Sequence, residues 1–163
     1  MHCEASPSLA GPIPVPYTAE EIGRTFAGLL ATFEFRQELF ELGIGPLRVI
    51  KRARVRKLLT ALSVALWHVA LEKSFPKDAD EFFNHFVATY PPLKGEGRSA
   101  RKFRELVSRY DSLVLEKKDT DFSEVARHIA EDIGFQPADS AKGQLWLSLR
   151  IRAAYDLIFE KLI

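Results

Sequence analysis

The feature that most constrains this fold is a long helical pattern whose character changes along its length. From about Leu47 to Lys73 no proline or glycine interrupts the chain, so a helix here would be about 40 Å long. Five of the seven residues in 51–57 are Lys or Arg, whereas 58–71 contain no Lys, Arg, Asp or Glu. A charge-free helix must be covered on all sides, and this one is too short for a bilayer, which needs about 20 residues. We therefore predict a long central helix whose second half is surrounded by other helices.

Amphipathic spacing predicts further helices on both sides of this segment. Thr18 and Glu21 form a capping box that begins a first helix ending at Gly43, with Phe26 and Phe40 among its core residues. Later helices are predicted at about 79–90, 99–118, 121–133 and 140–163. The alternation in LWLSLRIR, residues 145–152, is also typical of a strand, but the helical period extends to the terminus and no second strand is available. The prediction is an all-α, single-domain bundle of about five or six helices over 18–163.

The N-terminal segment differs from the rest of the chain. Four prolines between Met1 and Tyr17 disfavour a helix, so we predict a disordered or extended tail over 1–17. Cys3 is the single cysteine, which excludes an intramolecular disulfide and fits a reducing compartment. No stretch resembles a signal peptide or a membrane span, so we expect a cytoplasmic protein without a membrane partner.

The sequence contains no pattern that indicates catalysis. No two histidines have the spacing of metal ligands on one helix face, and no Gly-x-Ser-x-Gly motif occurs. His68 lies inside the apolar stretch, where a hydrogen-bonded core histidine is expected. We therefore predict a protein that is not an enzyme and needs no cofactor or metal.

The basic start of the long helix is the main candidate site. Net charge is only +1, so affinity for a polyanion must come from local charge. No acidic residue occurs in 42–71, and cations at a helix N-terminus are disfavoured by the macrodipole. Because local stability does not favour this placement, we predict contact with a nucleic-acid phosphate backbone, of RNA in preference to DNA and without sequence readout. The candidate residues in this cluster are Arg48, Lys51, Arg52, Arg54, Arg56 and Lys57.

A second basic cluster surrounds the predicted start of the helix at 99–118. Gly95 and Gly97 would allow the backbone close to an anion there, although the nucleotide-binding P-loop pattern is not matched. Two clusters favour an extended anion over a single phosphate. The candidate residues in this second cluster are Lys94, Arg98, Arg101 and Lys102.

Two alternatives to nucleic-acid contact remain open. In the first, Glu34, Glu38 and Glu41 at the end of the preceding helix neutralise the basic cluster within the chain. In the second, the protein is an adaptor or regulator whose basic helix and Pro-rich tail contact a partner protein or a second copy. Phe35 and Trp146 lie off the main apolar stripes, where they could stack on bases or anchor a partner.

Overall fold

The computed structural model describes residues 16–134 and 140–162, and all regular structure in these ranges is helical. The prediction of an all-α fold is confirmed, with one helix more than the upper predicted number. Most of the predicted tail, residues 1–15, lies outside the described residues. The helices are α1 (Ala19–Thr32), α2 (Arg36–Glu41), α3 (Val49–Ser74), α4 (Ala79–Thr89), α5 (Arg98–Lys117), α6 (Ser123–Ile133) and α7 (Ser140–Glu160).

Helix α3 is the centre of the bundle. Every residue in 58–71 except Thr60 is buried, and α3 contacts α4, α5, α6 and α7. The prediction that other helices surround the charge-free half is therefore confirmed. Trp67 forms the middle of the core, with the Phe26 ring stacked 4.4 Å away and the Phe86 ring at 5.0 Å. Within the described residues, no helix is long and apolar enough to cross a bilayer.

Helices α3 and α5 run in the same direction. Near the start of α3 the Lys57 ammonium lies 5.4 Å from the Phe103 ring centroid. Near its end, Lys73 Nζ lies 2.6 Å from Asp119 Oδ2, just beyond α5. Residue numbers therefore rise together along both helices, and their N-termini share one end of the bundle, which we call the basic end.

The other directions follow from similar contacts. Tyr17 lies beside Phe75 and Phe26 beside Trp67, so α1 runs antiparallel to α3. Helices α4 and α6 each follow a short turn and therefore run back toward the basic end. In α7 the Phe159 ring lies 5.4 Å from Lys73 Nζ, whereas Leu147 shares a small cavity with Leu59. Helix α7 therefore runs parallel to α3.

The first predicted helix is divided in two, which is the main departure from the sequence prediction. Helix α1 ends at Thr32, the backbone of Phe33 is extended, and Phe35 takes a left-handed conformation with φ of 52°. No glycine or proline marks this break. It shifts the helical phase, so that Leu39 is completely buried and Phe40 is 83% exposed. The placement of Phe40 in the core was therefore wrong.

His68 is a hydrogen-bonded core residue, as predicted. Its ring is 5% exposed and stacks on Phe83 at 3.9 Å. Nδ1 lies 2.8 Å from Asp111 Oδ1 on α5, and Nε2 lies 3.2 Å from Asp80 Oδ1 on α4. Burial alone would lower the pKa of His68, but the hydrogen bond and charge of Asp111, with help from Asp80 and Glu72, raise it. His68 thus joins three helices through two carboxylates.

Leu39 and Phe40 provide a matched pair that tests the break after α1. Leu39→Ala should lower the free energy of unfolding by about 2 to 5 kcal/mol because it leaves a cavity in the core. Phe40→Ala should change it by less than about 0.5 kcal/mol because the ring is solvated. Urea denaturation of both variants measures the difference. The reverse order of effects would show that α1 and α2 form one continuous helix.

The His68 contacts predict a pH-dependent stability. Because the folded-state pKa is raised, the stabilisation is complete below the unfolded-state pKa and is lost as pH rises through the folded-state value. The free energy of unfolding of the wild type, relative to His68→Gln, should therefore fall as pH rises from about 6.5 through the folded-state pKa of His68. Urea denaturation across this range is the measurement. His85→Gln, at an exposed position, should retain the wild-type profile, and parallel wild-type and His68→Gln profiles would contradict the prediction.

Candidate nucleic-acid interface

The start of α3 projects from the bundle. None of the residues in 49–54 is buried, and Val55 is the first position of the helix that is. Six residues of helix are about 9 Å long, so almost two turns extend beyond the packed core. The basic cluster of α3 therefore lies largely in solvent at the basic end.

No cation of this cluster forms an ion pair with a carboxylate in residues 16–134 or 140–162. Two of the three acids considered as its partners contact other arginines instead. Glu34 lies 2.5 Å from Arg36, and Glu41 lies 3.0 Å from Arg150 of α7. A hydrogen bond from Gln37, with smaller contributions from Trp146 and Arg150, lowers the pKa of Glu41. The alternative in which these acids neutralise the basic cluster is not what the structure shows.

Three of the six cations nevertheless have a place in the fold. Arg52 donates to the carbonyl of Ile44 at 3.0 Å, which holds the connection between α2 and α3 against the helix. Arg54 donates to the carbonyl of Asp132 at 2.9 Å, near the end of α6. The third is Lys57, whose ammonium lies over the Phe103 ring. Arg48, Lys51 and Arg56 have no such contact in the described chain, so they are the cations of α3 most available to a ligand.

The second basic cluster lies at the same end of the bundle, at the start of α5. Its four predicted residues, Lys94, Arg98, Arg101 and Lys102, are exposed and form no ion pair within the described residues. The neighbouring Arg104 has a different role, because one of its nitrogens donates to the carbonyls of Leu93 at 2.5 Å and Gly95 at 2.7 Å. Gly95 has φ of 99°, a conformation that suits glycine. Arg104 therefore orders the loop that carries the second cluster, a role that only the tertiary contacts reveal.

Apart from the short α2, which has Glu38 in its first turn, the helix N-termini at the two ends of the bundle carry opposite charges. Helices α1, α4 and α6 begin at the end opposite the basic end, and each has acidic residues in its first turn. Helices α3 and α5 have none there and begin with Arg and Lys instead. Cations at these two positions add to the positive ends of the helix dipoles, so the basic end attracts anions through side chains and backbone together.

The two aromatic candidates, Phe35 and Trp146, and two arginines of α7 do not contribute an accessible group to this surface. Phe35 and Trp146 are partly buried and line a cavity between α2 and α7, away from the exposed start of α3. Arg150 pairs with Glu41. Arg152 lies 4.6 Å from the Phe122 ring centroid and donates to the carbonyl of Thr120. The structure therefore gives no support to base stacking by Phe35 or Trp146.

An exposed apolar group beside the basic cluster was not predicted. Leu47 is 94% exposed and Ile50 is 88% exposed, and both precede the first buried position of α3. Phe40 and Val49 are exposed as well, and we call these four residues the apolar corner. Beside it is a groove of about 430 Å³, lined by Ile50, Lys51, Arg54, Val55 and Ile133. The sequence signal was the run of aliphatic residues that alternates with cations before Val55.

The described residues contain no group of three or more His, Cys, Asp or Glu side chains that could hold a metal ion. Comparisons with protein-family models, with curated proteins and with solved structures found no match to this chain.

Proposed function

We propose that this protein is a non-catalytic helical subunit that contacts the phosphate backbone of a nucleic acid, most plausibly RNA, through its basic end. The observation that carries this proposal is the parallel direction of α3 and α5. It brings two basic clusters, separate in sequence, to one end of the bundle. Seven of the ten predicted cations have no internal ion pair, hydrogen bond or ring contact in the described chain, so they remain available to phosphates.

The same geometry favours binding without sequence readout. Arg and Lys at exposed positions give contacts to phosphate, which every nucleotide carries. Sequence readout of single strands relies on stacking and on groups that reach base edges, and neither Phe35 nor Trp146 is placed for it. A net charge of only +1 gives the whole molecule little long-range attraction to a nucleic acid. This is consistent with a subunit that is held on the nucleic acid by a larger assembly.

Charge reversal at the basic end tests the proposal. A triple variant with Arg48→Glu, Lys51→Glu and Arg56→Glu should bind labelled RNA at least about tenfold more weakly than the wild type. Its salt dependence should also flatten, because each lost phosphate contact removes about 0.7 to 0.9 from the slope of log affinity against log salt. Fluorescence anisotropy with single-stranded and double-stranded RNA and DNA, at several salt concentrations, is the measurement.

The matched control changes net charge by the same amount at the opposite end. Lys77, Lys117 and Lys161 are exposed there, and their triple reversal to Glu should leave binding within about twofold of the wild type. Equal losses of affinity in the two triple variants would show a general effect of net charge and would contradict a binding site at the basic end. If the wild type does not bind nucleic acid at low salt, the proposed function is wrong.

A second candidate function, docking to a partner protein, is favoured by the apolar corner. Leu47 and Ile50 are exposed, but aliphatic side chains do not contribute to phosphate binding. Exposed aliphatic side chains beside cations are complementary to a protein surface that carries acidic and apolar side chains. In this role the basic end attracts the partner and the apolar corner is buried on binding.

The double variant Leu47→Ser with Ile50→Ser separates the two functions. This variant should bind nucleic acid as tightly as the wild type. It should no longer cross-link to the partner protein that the wild type captures, and mass spectrometry quantifies that partner in both samples. Tyr17→Ser removes an exposed apolar ring at the opposite end of the bundle and should retain that partner. Recovery of the same proteins by all variants would argue against docking at the apolar corner.

A further inference from the structure

Helix α7 is apolar on two opposite sides. One side carries Leu147, Ile151 and Ile158, which are buried in the core. Along the other run four apolar residues spaced by four, Leu145, Leu149, Ala153 and Leu157. Leu145 and Leu149 are both 64% exposed, and Ala153 is exposed as well. Leu157 is 39% exposed, and together with Ala153 it borders a groove beside the connection between α1 and α2. We call this second row the outer face of α7, and it is open to solvent at Leu145, Leu149 and Ala153.

The charges on the outer face are arranged in a definite order. Lys142 precedes the apolar row, and Glu160 lies 18 residues later, which is five full turns of helix and therefore the same side. Asp156 also lies on this side, toward the C-terminal end. All three are exposed, and the described residues provide only the neighbouring Lys161 as an ion-pair partner, to Glu160 at 3.5 Å. The outer face is thus positive at its start, apolar in its middle and negative at its end.

A surface with this order is complementary to itself when it is turned end to end. We propose that two copies of this chain associate through antiparallel packing of α7 against α7. The two-fold axis passes through the outer faces, at the level of Ile151 along the helix. The axis places Leu149 opposite Ala153 of the second copy and Leu145 opposite Leu157. It also places Lys142 opposite Glu160, so unlike charges meet at both ends of the contact. A parallel pair would instead oppose Lys142 to Lys142.

The two-fold arrangement fits general properties of protein assemblies. A two-fold interface uses the same patch on both copies, and each contact occurs twice. Apolar rows spaced by four are the ridges that helices commonly interdigitate. Because one helix of each copy supplies the patch, the buried area is small, so we expect reversible dimerisation with a dissociation constant of roughly micromolar or weaker.

The inference does not depend on the proposed function, because the outer face contains none of the ten predicted phosphate-contacting residues. The dimer also has a defined consequence for them. Since α7 and α3 run in the same direction, antiparallel α7 helices place the two basic ends at opposite ends of the dimer. Loss of dimerisation should therefore leave the nucleic-acid affinity of one basic end unchanged.

Sedimentation equilibrium of the full-length chain over a range of concentrations tests the dimer. The wild type should show a concentration-dependent monomer and dimer equilibrium, and Leu149→Glu should weaken it at least about tenfold by placing a charge in the centre. Ala88→Glu is the control, since it adds the same charge at an exposed position of α4, away from α7, and should leave the equilibrium unchanged. Circular dichroism establishes that each variant is folded.

A charge exchange tests the orientation. Lys142→Glu alone and Glu160→Lys alone should each weaken dimerisation, because like charges then face one another. The double variant should recover most of the wild-type affinity, because the opposite charges meet again in exchanged positions. A monomeric wild type at the highest soluble concentration, a dimer insensitive to Leu149→Glu, or a double variant weaker than either single variant would overturn the proposal.

Discussion

The structure depends on one constraint, which is that fourteen consecutive residues of α3, 58–71, carry no formal charge and must be removed from water on every side. No single partner helix can do this, so α3 is packed against α4, α5, α6 and α7, and Phe26 of α1 stacks on Trp67. The short connections between successive helices make the chain run up and down around it. This path forces α5 to start where α3 starts. The same constraint that builds the core therefore brings the two basic clusters together.

The sequence predicted the helices well where periodicity and end signals agreed. Glu21 and Thr18 form the predicted capping box, and Gly134 ends α6 in a left-handed conformation. The break at 33–35 could not be predicted, because it is made by Phe33 and Phe35 without glycine or proline. The periodic pattern assumes one continuous helix, and on such a helix Phe40 faces the core. The break after α1 changes the helical phase, so the structure buries Leu39 instead.

For the candidate site, the sequence identified two basic clusters but not their surroundings. Both basic clusters were recognised, yet their position at one end depends on the direction in which α3 and α5 pack. Sequence also could not separate Arg52 and Arg54, which bind carbonyls of distant segments, from Arg48 and Lys51, which remain in solvent. These distinctions arise from contacts between residues far apart in the chain, as do the carboxylate partners of His68.

The arginines that bind carbonyls give the basic end a stable form. Arg52 and Arg104 hold the connections that precede α3 and α5, and Arg54 ties the start of α3 to the end of α6. Exposed cations on long side chains lose conformational entropy when they bind an anion. A backbone that is already fixed limits that loss to the side chains themselves.

The opposite charges at the two ends of the bundle give this nearly neutral molecule an electric dipole moment. In the field of an extended anion such a molecule experiences a torque, which turns the starts of α3 and α5 toward the anion before contact. The effect acts on the orientation of encounters, so it speeds productive association without strengthening the final complex. Its range is about 8 Å at physiological ionic strength, which makes it a property of the last steps of approach.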